Sequence, residues 1–221
     1  MKFTLKKDYS ILTLIRYILY ALLVFLLAEF IRYDALQASL ERRFSEDSYT
    51  ELAQTGLLVL SASLSLTIFF KGQRYRYLGF MLATISMVSI IREQDVYFEQ
   101  YFGRTTWFYP VLVILFTAVI LLIRNRKKVI SELNSFVKLS SSGMLMLGFI
   151  TTFVFSRLFG RKIFWHAVME GQYFRAVKNA AEECLELYGY LLILIGIIEL
   201  ALEEFYPTTK NSQHSQLPNL S

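Results

Sequence analysis

A series of apolar runs constrains this chain more than any other feature. They fall at 11–31, 52–70, 77–91, 107–123, 142–159 and 185–202. A helix of about twenty apolar residues crosses a hydrocarbon core roughly 30 Å thick. Composition agrees, with 55% of residues hydrophobic and 19% charged, against about 45–50% and 25% in a soluble domain. An ordinary soluble globule, a disordered chain and a disulfide scaffold are excluded. Cys184 is the single cysteine, so neither an internal disulfide nor a cysteine zinc pattern is available.

The expected fold is therefore an all-α, polytopic membrane bundle of six transmembrane helices, forming one domain over residues 1–205. The third and fifth runs are short and borrow flanking residues to span. Lys2, Lys6 and Lys7 imitate the start of a signal peptide. The apolar run behind them exceeds the roughly 7–15 residues of a signal core, and no A-x-A site follows. It is read as a retained first span.

Basic loops orient the bundle. KGQRYR at 71–76 contains no acid and RNRKK at 124–128 is densely basic, which predicts that both termini are cytoplasmic. Trp107 and Trp165 then fall at the outer boundary, where amphipathic rings sit. Segment 125–138 gathers Val129, Ile130, Leu133, Phe136 and Val137 on one helical face, the pattern of a helix lying on the inner leaflet. Segment 163–174 is expected to lie similarly outside. The polar tail, 206–221, is expected to be disordered. Near the inner ends, Arg16 is read as snorkelling to the interface and Glu199 as a helix end reaching water or a proton relay.

The formal net charge of +5 does not point to nucleic acid, because the basic residues sit in loops where topology and anionic lipid account for them. Scarce cysteine and histidine, with no targeting peptide visible, make a bacterial inner membrane the most economical location. The expected partners are the lipid bilayer and either a second copy or another membrane protein, since so small a chain has little room for a private substrate pathway.

Acids are the most informative polar residues. In this topology Glu29, Asp34, Glu41, Glu46, Asp47 and Glu51 fall on the outer side, together with two clusters. A helix running on through IREQDVYFE places Arg92, Asp95 and Glu99 on one face, beside Glu93. AAEECLELYGY opens the sixth run and holds Glu182, Glu183 and Glu186 within about 100° on a helix. Such carboxylates repel one another unless an arginine, a cation or a proton intervenes, and Arg92, Arg157 and Arg175 are the candidate partners. Two readings stay open: an outward-facing site for a cation or charged solute, and a structural ion-pair network joining the third, fifth and sixth spans. The dipole of a helix start also favours Glu182 and Glu183.

His166 and Glu170 stand at i, i+4, the spacing at which two ligands reach one metal ion. Ser61, Ser63, Ser65 and Thr67 are expected to hydrogen-bond between helices. Gly189 and Gly196, seven apart, share a helical face and are expected to permit close packing. No GxSxG, HExxH or GxGxxG is present, and no cofactor is implied. Three classes of function follow: a transporter or binding protein using Arg92, Glu93, Asp95, Glu182, Glu183 and Glu186; a non-catalytic sensor or accessory subunit; and a metal-dependent enzyme acting on lipid headgroups.

Overall fold

The computed structural model describes residues 2–37, 48–170 and 172–206, with side chains from residue 11 onward. The expected tail, apart from Tyr206, and the acids Glu41, Glu46 and Asp47 lie outside these residues. Every regular element described is helical. They are α1 (Lys2–Gln37), α2 (Tyr49–Lys71), α3 (Arg76–Glu93), α4 (Asp95–Phe102), α5 (Phe108–Arg124), α6 (Arg126–Phe136), α7 (Ser140–Phe149), a π-helical stretch (Ile150–Phe155), α8 (Ser156–Phe159), α9 (Lys162–Met169) and α10 (Arg175–Phe205).

Local chemistry explains several boundaries. Ser48 caps α2 by accepting a hydrogen bond from the Glu51 N–H at 3.3 Å, the usual role of serine at a helix start. Pro110 stands in the first turn of α5, where its missing N–H has no intrahelical acceptor to lose. Gly103 ends α4 with φ +96°, a conformation in which a Cβ is strained.

α10 is the central element. Of its most apolar window 61% is buried, whereas the corresponding window of α1 has no buried residue. One face of α10 packs on α2 and another on α7, the π-helical stretch and α8. α3 packs on α2 and carries α5 and α6. The core joins Leu58 and Ile68 of α2, Leu78 and Leu82 of α3, Leu145 of α7, and Tyr190, Ile193, Ile197 and Leu200 of α10.

Glycines set the α7–α10 spacing. A Cβ at Gly189 meets the Thr152 side chain, one at Gly196 falls 2.6 Å from Leu145 Cγ, and one at Gly148 falls 2.7 Å from Ile193 Cγ1. The three contacts keep one antiparallel register, and the expectation of close packing at Gly189 and Gly196 holds.

Among the described residues, four helices are long and apolar enough to cross a membrane: Ile11–Gln37, Tyr49–Lys71, Ser140–Phe159 and Arg175–Phe205. The pair Phe108–Arg124 and Arg126–Phe136, bent by 91°, makes a fifth if counted as one span. The bend separates α6 from the run before it. α3 is helical over 18 residues but is not among these helices.

Three local expectations are corrected. The third helix does not run on through IREQDVYFE: it stops at Glu93, and Gln94 breaks it with φ −104° and ψ 18°, so Asp95 and Glu99 belong to a separate helix. α10 begins at Arg175, so Glu182 and Glu183 lie beyond the first turn, outside the range of its dipole. The hydroxyls of α2 do not bridge helices. Ser63 and Thr67 donate to the carbonyls of Val59 and Ser63 within their own helix at 2.7 and 2.9 Å, and the buried Ser61 and Ser65 hydroxyls have no hydrogen-bond partner among the described residues. Their small size lets neighbouring backbones approach: a Cβ at Gly79 of α3 falls 2.9 Å from the Ser65 carbonyl oxygen.

Candidate functional site

The sixth run delivers Glu182, Glu183 and Glu186 from α10 to the level where α3 ends in Arg92 and Glu93 and α8 presents Ser156 and Arg157. Arg92 Nη2 lies 2.9 Å from Glu93 Oε1 and 3.4 Å from Glu186 Oε2. Arg157 lies 2.9 Å from Glu186 Oε1 through Nη2 and 3.1 Å from Glu182 Oε1 through Nη1. Lys178, one turn before Glu182, pairs with it as well. The Tyr190 hydroxyl donates to Glu93 at 2.8 Å, while the Ser156 hydroxyl donates to the Thr152 carbonyl at 2.5 Å and lies 3.3 Å from Glu186 Oε1.

Burial is asymmetric within this layer. The Glu186 and Glu93 side chains are 3% and 9% exposed, against 36% and 39% for Arg92 and Arg157. The arginines thus cover the carboxylates from the more exposed side, with Arg157 Nη2 itself buried against Glu186. A buried carboxylate without partners is costly, and each guanidinium here serves two of them, a geometry that suits its planar fork.

The π-helical stretch shapes the approach of α8. Its wider turn shifts the residues that follow. Thr152 within it is fully buried, with its side chain beside Gly189, and Ser156 and Arg157 come next on the path to Glu186.

Of the residues the sequence proposed, Arg92, Glu93, Glu182 and Glu186 meet in one network through Arg157. Glu183 is turned to α2, where Gln54 Nε2 donates to its carboxylate at 2.9 Å and to its carbonyl at 3.1 Å. Asp95 starts α4 and makes no ion pair among the described residues; partial burial pushes its carboxyl above the ordinary carboxylate range. Arg175 is exposed and likewise makes no ion pair there. His166 stacks on Tyr173 with ring centroids 4.1 Å apart, and Glu170 ends α9 at φ 43°. No group of three or more His, Cys, Asp or Glu side chains able to hold a metal ion occurs among the described residues.

Sequence reading missed Gln54, Lys178 and Tyr190. Gln54 had a signal, being an amide inside an apolar run that has to find a partner once buried. Tyr190 had none, since a tyrosine near a span end satisfies many environments.

A second polar layer lies at the other end of α10. Arg16 Nη1 pairs with Glu199 Oε2 at 3.1 Å, and the Tyr20 hydroxyl donates to Glu199 Oε1 at 2.6 Å. Glu199 is accordingly no solvated helix end, its side chain being 15% exposed. Beyond it, Glu204 accepts backbone N–H bonds from Gln73, Arg74 and Tyr75 at 2.5, 3.0 and 2.8 Å. Glu132 of α6 accepts the Leu78 N–H at 2.9 Å, capping the start of α3. These acids gather the exposed amides of the α2–α3 loop.

Glu186 and Glu204 stand eighteen residues apart on one helix, a rise of about 27 Å, close to the thickness of a hydrocarbon core. A helical bundle with several apolar helices between two such layers is a multi-pass membrane protein. Compared with protein-family models, curated proteins and solved structures, the chain has no match.

Proposed function

We propose that the chain crosses a bacterial inner membrane six times, with both termini cytoplasmic, and works as a non-catalytic subunit of a membrane assembly. Contacts at both ends of α3 support the sixth span: Tyr75 and Leu78 meet Glu204 and Glu132 at one end, and Arg92 meets Glu186 at the other. The basic loops at 71–76 and 124–128 lie at the Glu204 end, which supports placing that end inside.

The observation that carries the subunit reading is the ion pairing across the charged layer. Arg92 and Arg157 each hold two carboxylates, and both hold Glu186, so the layer works as a rigid join of three helices. The outer helix α1 has no buried residue in its most apolar window, which leaves that stretch open to lipid or a partner. Purification in mild detergent, followed by native mass measurement, tests this. An assembly of two or more chains is expected, whereas a lone 25.8 kDa chain in detergent and in nanodiscs overturns it.

One observation favours a second reading, binding of a cation or charged solute. Glu93, Glu182, Glu183 and Glu186 outnumber Arg92, Arg157 and Lys178, and Glu183 rests on a neutral amide. Cation flux into proteoliposomes that is abolished by Glu183→Gln supports this reading over the first.

A further inference from the structure

A cavity of about 440 Å³ opens between the α2–α3 loop and α6, lined by Arg74, Arg76, Tyr77, Lys128, Ser131 and Glu132. We propose that it binds the phosphate group of an anionic phospholipid. Its volume lies in the usual range for small-ligand sites, about 300–1,000 Å³.

The charge balance favours an anion. Arg74, Arg76 and Lys128 make no ion pair among the described residues, although acids are close by. Glu132 accepts the Leu78 N–H and Glu204 accepts three loop N–H groups, so both carboxylates are committed to backbone donors at a helix start. Arg74, Arg76 and Lys128 thus line the cavity against one carboxylate, Glu132, and positive charge is in excess.

The arginines are also held in place. The Arg74 guanidinium lies 5.1 Å from the centre of the Tyr75 ring, and that of Arg76 lies 5.2 Å from the centre of the Phe69 ring. A guanidinium that meets a ring through its face can still direct its N–H edge at a phosphate oxygen pair. Glu204 fixes the loop backbone from which both arginines project, and the Tyr77 hydroxyl donates to Asn125 Oδ1 at 2.8 Å, tying α3 to the α5–α6 corner that carries Lys128.

The surroundings select a lipid over free phosphate. Phe70, at the end of α2, is 71% exposed, and Ile130, two residues after Lys128, is 57% exposed. Exposed apolar side chains thus stand within two residues in sequence of the cavity-lining Gly72 and Lys128, at the end of a membrane-crossing helix and on α6, as at a headgroup boundary.

The test uses the full chain, delipidated in a neutral detergent and titrated with dioleoylphosphatidylglycerol, dioleoylphosphatidylcholine or inorganic phosphate, with melting temperature as the readout. Phosphatidylglycerol is expected to raise it saturably. At about fivefold per lost charge, R74Q/R76Q/K128Q should weaken that response by about 100-fold. R124Q/R126Q/K127Q makes the same charge change outside the cavity and should stay within about threefold of the parent. R74K/R76K keeps the charge but loses the fork, and should weaken binding by about tenfold; it decides the matter should the triple variant fail to fold. Equal responses to the two lipids, equal losses in the two triple variants, or an unweakened R74K/R76K overturn the site. An equal rise with inorganic phosphate alone overturns the lipid as its source.

Discussion

Arg16 of α1 and Glu199 of α10 form a 3.1 Å ion pair across 183 positions of sequence. With the Tyr20 hydroxyl on the other carboxylate oxygen, this pair ties the middle of α1 to the bundle. Near its C-terminal end α1 is tied again at Asp34, which is 2% exposed and accepts from the Thr50 N–H at 3.1 Å and hydroxyl at 2.5 Å. Between these ties α1 buries almost nothing, so its attachment depends on polar contacts in a region where water competes poorly.

Glu199→Ala should therefore loosen α1 selectively. The expected loss is about 1–3 kcal/mol, below that of a fully buried pair because Arg16 remains partly exposed. Hydrogen exchange should rise in α1 and stay unchanged in α10. Exchange that rises equally in both helices would show that the pair supports the whole bundle.

The Arg92–Glu186 contact should couple the two residues energetically. Arg92→Gln alone should cost about 2 kcal/mol, since Arg157 remains on Glu186. The double variant Arg92→Gln, Glu186→Gln should cost less than the two single losses added, with a coupling of about 0.5–3 kcal/mol. Melting curves in detergent measure the cycle, and strict additivity would mean that the two side chains share no network.

Glycine substitutions should separate packing from helix propensity. Gly189→Ala and Gly196→Ala should each cost about 1–3 kcal/mol, because the new methyl meets Thr152 or Leu145. Gly143→Ala meets nothing within 4 Å and should stabilise by up to about 1 kcal/mol through propensity alone. Loss of stability in Gly143→Ala would contradict the open space beside it.

The orientation is testable by thiol labelling in a Cys184→Ala background. A cysteine replacing Arg104 should react with an impermeant reagent in intact cells, and one replacing Gln73 should react only after lysis. The reverse pattern would place the Arg92–Glu186 layer in the cytoplasm.

Apolar run length and periodicity determined that this chain is helical and membrane-embedded, because backbone groups in hydrocarbon have to be satisfied within their own segment. All six runs are helices in the structure, and Gly189 and Gly196 were legible as a packing face because glycine spacing on one helix is a local property. The same holds for the crowding of Glu182, Glu183 and Glu186.

What answers those carboxylates was a matter of tertiary structure. The break at Gln94 removed Asp95 from the layer, and the π-helical stretch preceded the turn that brought Arg157 to Glu186. Only packing brought Gln54 to Glu183, Arg16 to Glu199, and Glu204 to the loop amides. The physical reason is that a charge near hydrocarbon demands a partner without specifying which one. The sequence therefore states the demand, and helix register and crossing decide the side chain that meets it.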